Sequence, residues 1–543
     1  MMKLGNAQFA KAARRIRPME RLLCIRRRKR FGVSCAPPTT VLVKSMLQRY
    51  NNHDSGIKYT NQTCKVNGDQ DMRIIGLQLN HVRNVGRGEL SFDRLPSGGS
   101  MTGIYGQNGS GKTAVIDAIA ILDHLISGDR LPEYSNDIID VETGTATITA
   151  TMSFDETIIE YTVTLTTGDT ESGNRALVSE EAIRVGNAPD RLGRIILRHT
   201  ATDTGFTGYP SYLRRSINAL TDLDTDMRRA EEYAYATNRS FLFSTIHDAR
   251  GRETQTRTVT HMCDILKENN NVAERTRRYV EDTASRFTRH LDRLIDSARN
   301  AVYVSKTKRG ALAVFWYMPV ESSRTGRSRL INLTATTPVP RADANAIRSA
   351  IDIYNMVLPT IIPGLHVDAV ISPAPASEEG EERVNLQLMS ERDGRRIPFR
   401  CESEGVIRLT GMLSYFIHAF NDPDALVAID EIDTGVYELL LGDLLKQMAE
   451  GMKGQLVFTA HNLRALETLP PSCVRVTTTN PGRRYATFHV KQSNNNRRKY
   501  LADALLGSEG DNLYDPPLPH MFGAALYCAA HPDDDTQDTD MED

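Results

Sequence analysis

From residue 72 onward the chain settles into short alternating patterns of apolar and polar positions. In MRIIGLQLNHVRNVGRGELSF (72–92), Ile74, Leu77 and Leu79 are the apolar positions of an opening strand pair. TATITATMSF (145–154) and IIEYTVTL (158–165) are β-branched alternating runs around a short acidic turn, which predicts a hairpin. Between about 205 and 302 the period becomes helical. ERTRRYVEDTASRFTRHLDRLIDSARN (274–300) mixes both charge signs at i,i+3 and i,i+4, the pattern of a solvated helix face, with a nucleic-acid-facing stripe as the alternative. Strand character returns in GALAVFWYMPV (310–320) and HVDAVIS (366–372), and PAPASEEGEER (373–383) reads as a loop. From about 400 to 470 helix and strand alternate as in an α/β domain. There is no internal repeat of fixed period.

One glycine-rich stretch carries chemistry. GQNGSGKT (106–113) fits G-x-x-x-x-G-K-[ST] in full. Gly106, Gly109 and Gly111 let the backbone turn its N–H groups inward as an anion nest. Lys112 is expected over the β- and γ-phosphates of a nucleotide, and Thr113 on Mg²⁺. The helix behind keeps Val115, Ile119, Leu122 and Ile126 on one face, so it can pack on a sheet while its N-terminus meets the phosphates.

A phosphate loop needs a second strand with a magnesium carboxylate, and DALVAIDEID (424–433) supplies one. Leu426 to Ile429 read as a buried parallel strand. Asp430 at its end is placed to hold Mg²⁺ through water, and Glu431 to orient or deprotonate the attacking water. CESEGVIRLTGMLSYFIHAF (401–420) sets Ser403, Glu404 and Gly405 at the start of a helix whose Val406, Leu409, Leu413, Phe416 and Phe420 share a face. Ser403 there reads either as a simple N-cap or as a grip on a phosphate presented by another subunit. QLVFTAHN (455–462) is a third strand ending at His461, a candidate γ-phosphate sensor.

Composition bounds the rest. The 543 residues carry 66 Lys and Arg against 68 Asp and Glu, a net charge of −2 that hides an asymmetry. Residues 1–71 hold 15 basic and 4 acidic side chains, and 531–543 hold seven acids with no Lys or Arg. The body between them, at about −6, is too acidic for a general nucleic-acid surface, so any DNA contact there must be a local patch. The break at Met72 favours a chain that begins there, ahead of a disordered basic arm or a targeting segment. Seven cysteines without a CxxC pair argue against a disulfide framework or a zinc site and for a reducing cytoplasm. No run approaches the eighteen apolar residues of a membrane span.

The order of these parts resembles an ABC-type ATPase of the SMC/RecF-like branch, a P-loop NTPase of α/β class with a mixed sheet and a helical insertion between Walker A and the signature. SEG followed by VIRL (403–409), and IDEIDTGVYELL (429–440), are similar to segments of the AAA-labelled ATP-binding proteins of bacterial phage-defence and abortive-infection operons. The resemblance covers roughly 72–530. It implies ATP and Mg²⁺ sandwiched between two heads of a homodimer. By that match Gly106, Asn108, Gly109, Ser110, Gly111, Lys112 and Thr113 bind ATP, and Arg83 approaches the nucleotide. Thr113 and Asp430 serve Mg²⁺, Glu431 activates water and His461 is the switch. Ser403 and Gly405 are contacts made in trans, and Asp433 to Tyr437 form a D-loop-like segment. Two features depart from the pattern: no Q-loop glutamine stands out between 135 and 170, and Tyr437-Glu438 replaces a His-Pro.

The expected organisation is a basic extension (1–71), an N-terminal lobe with Walker A (72–204), a helical or mixed insertion (205–345), a C-terminal lobe with signature, Walker B and switch histidine (346–515), and a segment with the acidic tail (516–543). The expected function is ATP hydrolysis by a cytoplasmic ATPase that dimerises on ATP, serving phage defence or DNA transactions. The alternative is a slow ATP-dependent scaffold that holds a toxin or effector. DNA and a separate effector or nuclease protein are the candidate partners, since about 80 residues after His461 leave too little room for a fused nuclease domain.

Overall fold

The computed structural model describes residues 72–530, apart from 155, 171–172, 202–206, 248–252, 307–316, 322–327, 376–381, 491–494, 507–510 and 517–518. The expectations for 1–71 and for the acidic tail lie outside the described residues.

β1 (Arg73–Val82) and β2 (Val85–Ser91) form the expected opening pair, and β3 (Ser100–Tyr105) runs through the glycine-rich loop into α1 (Lys112–Ile126). β4 (Thr145–Phe154) and β5 (Thr157–Thr170) make the expected hairpin, extended by β6 (Gly173–Gly186), β7 (Leu192–Thr200) and β8 (Thr207–Tyr209). The helical region contains α2 (Ser211–Asn218), α3 (Thr221–Thr237), a small hairpin of β9 (Thr245–His247) and β10 (Glu253–Arg257), then α4 (Thr258–Glu268), α5 (Glu274–Tyr279) and α6 (Ser285–Ala301). β11 (Val302–Ser305) follows, then the pair β12 (Tyr317–Glu321) and β13 (Ser328–Asn332). β14 (Thr337–Pro340), α7 (Ala344–Ile361), β15 (His366–Pro373), β16 (Arg383–Arg392) and β17 (Arg395–Pro398) build a smaller antiparallel sheet with its helix. Next come α8 (Glu404–Asn421), β18 (Leu426–Ile429), α9 (Glu438–Gly451), β19 (Gln455–Ala460), α10 (Leu463–Thr468), β20 (Val474–Thr477) and β21 (Tyr485–Thr487). α11 (Asn496–Leu506) and α12 (Pro519–Ala530) complete the described chain.

Two large sheets organise these elements. One is antiparallel, in the order β2-β1-β4-β5-β6-β7-β8. The other runs β11-β18-β19-β3-β20-β21, with every pair parallel except β20 with β21. Sequence-distant segments meet in this second sheet: β3 comes from the expected N-terminal lobe, β11 from the expected insertion, and the rest from beyond residue 400. Its strands are apolar at successive positions because both faces are covered. Leu426 and Ala428 join a core with α1, α6 and the antiparallel sheet, while Val427 and Ile429 join a second core with α8, α9 and α10.

Buried polar side chains tie the two sheets together. Gln455 donates to the Ile74 carbonyl at 2.8 Å and accepts the Ile74 N–H at 3.2 Å. Arg475, 2% exposed, donates to the Ser91 carbonyl at 2.8 Å and to Asp93 at 3.0 Å. In α1 the expected apolar face is buried, but so is most of the rest of the helix, because α6 and the antiparallel sheet cover the side that would otherwise meet solvent. In α8, Leu409, Leu413 and Phe416 are buried as expected while Phe420 is 39% exposed, its ring resting beside Gly451. No helix among the described residues is long and apolar enough to cross a membrane.

Candidate functional site

All the parallel strands end at one edge of the sheet, where an open α/β fold places its crevice. β3 delivers the loop 106–111 there, β18 delivers Asp430 and β19 delivers His461. The loop is built to its glycines. A Cβ on Gly106 would collide with the Thr477 hydroxyl, and Gly109 and Gly111 have φ of 75° and 87°, a region costly for other residues. Ser110 anchors the loop, donating to the Gln107 carbonyl at 2.7 Å and pairing with Thr477 Oγ1 at 2.6 Å. Tyr485 OH holds the Gly111 carbonyl at 2.8 Å, and Asn84 Nδ2 donates to the Gly109 carbonyl. Asn108 and Gly109 stay exposed at the tip.

Lys112 is 6% exposed, and its ammonium donates to the carbonyls of Gly106 and Gln107, each at 2.9 Å. Burial lowers its pKa, against the raising influence of Asp430, Glu431 and Asp433. Thr113 donates towards both Asp430 oxygens, at 3.3 and 3.2 Å, across 317 residues of sequence. Asp430 is 2% exposed and also accepts the Thr459 hydroxyl at 2.6 Å. Burial pushes its carboxyl up, the Thr459 hydrogen bond pulls it down, and Glu431 pushes it up again.

Glu431 occupies the left-handed region at φ 50°, a strain of about 1–3 kcal/mol for a residue with a side chain. Three bonds hold it there. Its N–H donates to Thr459 Oγ1 at 2.7 Å, its carbonyl accepts Arg408 at 2.7 Å, and its carboxylate accepts Thr434 at 3.3 Å. Asp433 fixes the neighbouring turn by accepting the N–H groups of His461 at 2.8 Å and Asn462 at 2.5 Å. The exposed His461 ring has its pKa lowered, first by lost hydration and then by the Lys112 charge.

The phosphate loop, Thr113, Asp430, Glu431 and His461 thus converge. Ser403 and Gly405 belong to a different contact. Ser403 caps its own helix, accepting the Val406 N–H at 3.4 Å, and faces solvent. Gly405 lies against the backbone of Gly435, where a Cβ would strike the Gly435 carbonyl. Arg83 sits beside the loop at φ 54°, with its guanidinium on Asp117 of α1 at 2.6 Å. Thr459, Arg408, Asp117 and Thr477 had no assigned role in the sequence reading. Two of them lie near a usable signal: Thr459, two residues before His461 on its strand, and Arg408, within SEG-VIRL.

The residues fit a Mg²⁺-nucleotide. A buried lysine, loop N–H groups and a hydroxyl beside a carboxylate are the donor set that phosphates with Mg²⁺ need. Among the described residues no group of three or more His, Cys, Asp or Glu converges as a metal cage, and Mg²⁺ bound through a nucleotide needs only one or two carboxylates. Fold and site together define a P-loop nucleotide-binding protein of α/β class. The chain belongs to the family described as "AAA domain, putative AbiEii toxin, Type IV TA system", whose model matches residues 101–467. No match was found among curated proteins. Similar solved structures include the SMC head domain with an extended coiled coil bound to the C-terminal domain of ScpA from Pyrococcus furiosus (12% identity, 76% of this chain and 96% of that one, TM-score 0.35). Others are the SMC head domain from Thermotoga maritima (13%, 77% and 100%, TM-score 0.31) and the recombination mediator protein RecF of the RecFOR pathway (13%, 77% and 98%, TM-score 0.32).

Proposed function

We propose that this chain hydrolyses ATP, with the nucleotide held by residues 106–113 and the attacking water oriented by Glu431. The observation that carries this reading is the hydrogen-bonded link Thr113–Asp430–Thr459–Glu431, which sets two carboxylates beside the phosphate loop. Thr113 and Asp430 are the residues that would hold Mg²⁺, which when bound offsets phosphate charge. Lys112 exchanges the Gly106 and Gln107 carbonyls for phosphate oxygens. Glu431, kept aimed by Thr459, Arg408 and Thr434, accepts the proton of the water, and His461 reports on the γ-phosphate.

The exposed Ser403 and the D-loop-like segment Asp433 to Tyr437 support a homodimer formed on ATP, in which Ser403 and Gly405 meet the partner's nucleotide. Tyr437, 66% exposed, stands on that surface. The family's description, which names a putative AbiEii toxin and a Type IV TA system, supports a role in phage defence. The cytoplasm is the proposed location, and DNA or a separate effector the proposed partner. Steady-state ATP turnover of the wild type and Lys112→Ala, with and without duplex DNA, tests the reading. Turnover that needs Lys112 supports the ATPase, and stimulation by DNA supports a DNA transaction. Equal turnover in both proteins contradicts it.

A further inference from the structure

Behind the phosphate loop a single buried carboxylate is shared by two cations. Asp117 is 1% exposed and lies one turn after Thr113 on α1. Arg83 Nε approaches one of its oxygens at 2.6 Å and Lys306 Nζ the other at 2.6 Å. Lys306 follows β11 directly. Because Ser305 pairs with Ile429 and its carbonyl accepts the Asp430 N–H at 2.9 Å, Lys306 lies level with Asp430 on the neighbouring strand. Its ammonium is also 3.4 Å from the centre of the Tyr134 ring, a second favourable site for a cation.

The two cations are not equivalent. The Lys306 side chain is 13% exposed and enclosed by Asp117 and Tyr134, whereas the Arg83 side chain is 36% exposed. Arg83 is also the one beside the phosphate loop: its neighbour Asn84 bonds the Gly109 carbonyl, and Val85 packs on Gly111. One carboxylate needs only one counter-charge. With Lys306 in place, Asp117 stays compensated when Arg83 leaves it. Without Lys306, Arg83 would be the only cation left on a buried anion, and removing it would strand that charge at high cost.

We propose that Asp117 competes with nucleotide phosphate for Arg83, and that Lys306 is the spare cation that lets Asp117 release it. Asp117 and Lys306 are then positioning residues that set nucleotide affinity through Arg83, an inference that rests on the proposed ATP site. It gives the two partners of one ion pair opposite effects, which a purely structural bridge does not.

The test is the Kd of the full chain for a fluorescent, slowly hydrolysed ATP analogue with Mg²⁺. Asp117→Asn should tighten binding and Lys306→Met weaken it, each by about tenfold, the scale of one charge-assisted hydrogen bond. Both effects should vanish in an Arg83→Ala background. If Asp117→Asn does not fold, as thermal melting will reveal, Lys306→Met with and without Arg83 decides alone. Weaker binding in both single variants, or effects that persist without Arg83, would overturn the proposal. So would an unchanged Kd in Lys306→Met. Failure of the ATP site itself reads differently, as a wild type that binds the analogue no better than Lys112→Ala.

Discussion

The Thr459 hydroxyl donates to Asp430 at 2.6 Å and, through the same oxygen, accepts the N–H of Glu431 at 2.7 Å. One side chain on β19 therefore sets both acids that follow β18. Thr459→Val keeps the shape but removes the short bond from a buried carboxylate oxygen that Thr113 meets only at 3.3 Å, and takes the partner of the strained Glu431 N–H, at about 1–3 kcal/mol for that donor. Turnover is expected to fall by at least about tenfold with a smaller change in ATP affinity, and Thr459→Ser to restore most of it. Separate measurement of kcat and nucleotide Kd checks this. A Thr459→Val protein with wild-type kcat would show that the link does not aim Glu431.

Ser403 separates a cap from a contact between subunits. Its hydrogen bond to Val406 is long, so Ser403→Ala should cost no more than about 1 kcal/mol of stability. Ser403→Arg should leave nucleotide affinity unchanged while suppressing the ATP-dependent dimer. Light scattering with Mg²⁺-ATP at several protein concentrations reads the difference. Normal dimerisation and turnover in Ser403→Arg would remove Ser403 from the shared site.

A pH effect is expected far from the nucleotide. Burial raises Glu231 on α3 to about 7, against the pull of Arg214, which it bonds at 3.0 Å. Its folded value lies above the ordinary 4.5, so its contribution to stability is full below pH 4.5 and is lost as pH rises through about 7. Burial lowers His199 from 6.5 to about 3, so that contribution is present above 6.5 and is lost as pH falls. Glu231→Gln removes the first and leaves the second. The stability of wild type relative to Glu231→Gln, from urea midpoints, should decline between pH 4.5 and 7, and a constant difference would contradict the shift.

Much of this site was legible because each key residue ends a recognisable strand or opens a recognisable helix. GQNGSGKT follows β3, Asp430 follows four apolar residues and His461 follows β19, so local pattern and motif agreed. The remainder depends on which strands become neighbours. Asp117 and Lys306 meet only because β11, four residues long, docks beside β18, and no period in VYVS announces that pairing. Arg408 lay within a quoted motif, but its bond to the Glu431 carbonyl requires α8 to pack under the β18 turn. The near-complete burial of α1 was hidden for the same reason: its second covering layer comes from α6, far along the chain.

Glu431 is the residue on which the catalytic account turns, and Glu431→Gln isolates it because the change keeps shape and hydrogen-bonding capacity while removing the base. The decisive measurement is single-turnover ATP hydrolysis by wild type and Glu431→Gln, alongside the Kd of each for the ATP analogue with Mg²⁺. The account predicts unchanged affinity and hydrolysis slower by about 100-fold or more. Hydrolysis by Glu431→Gln within a few-fold of wild type would contradict it.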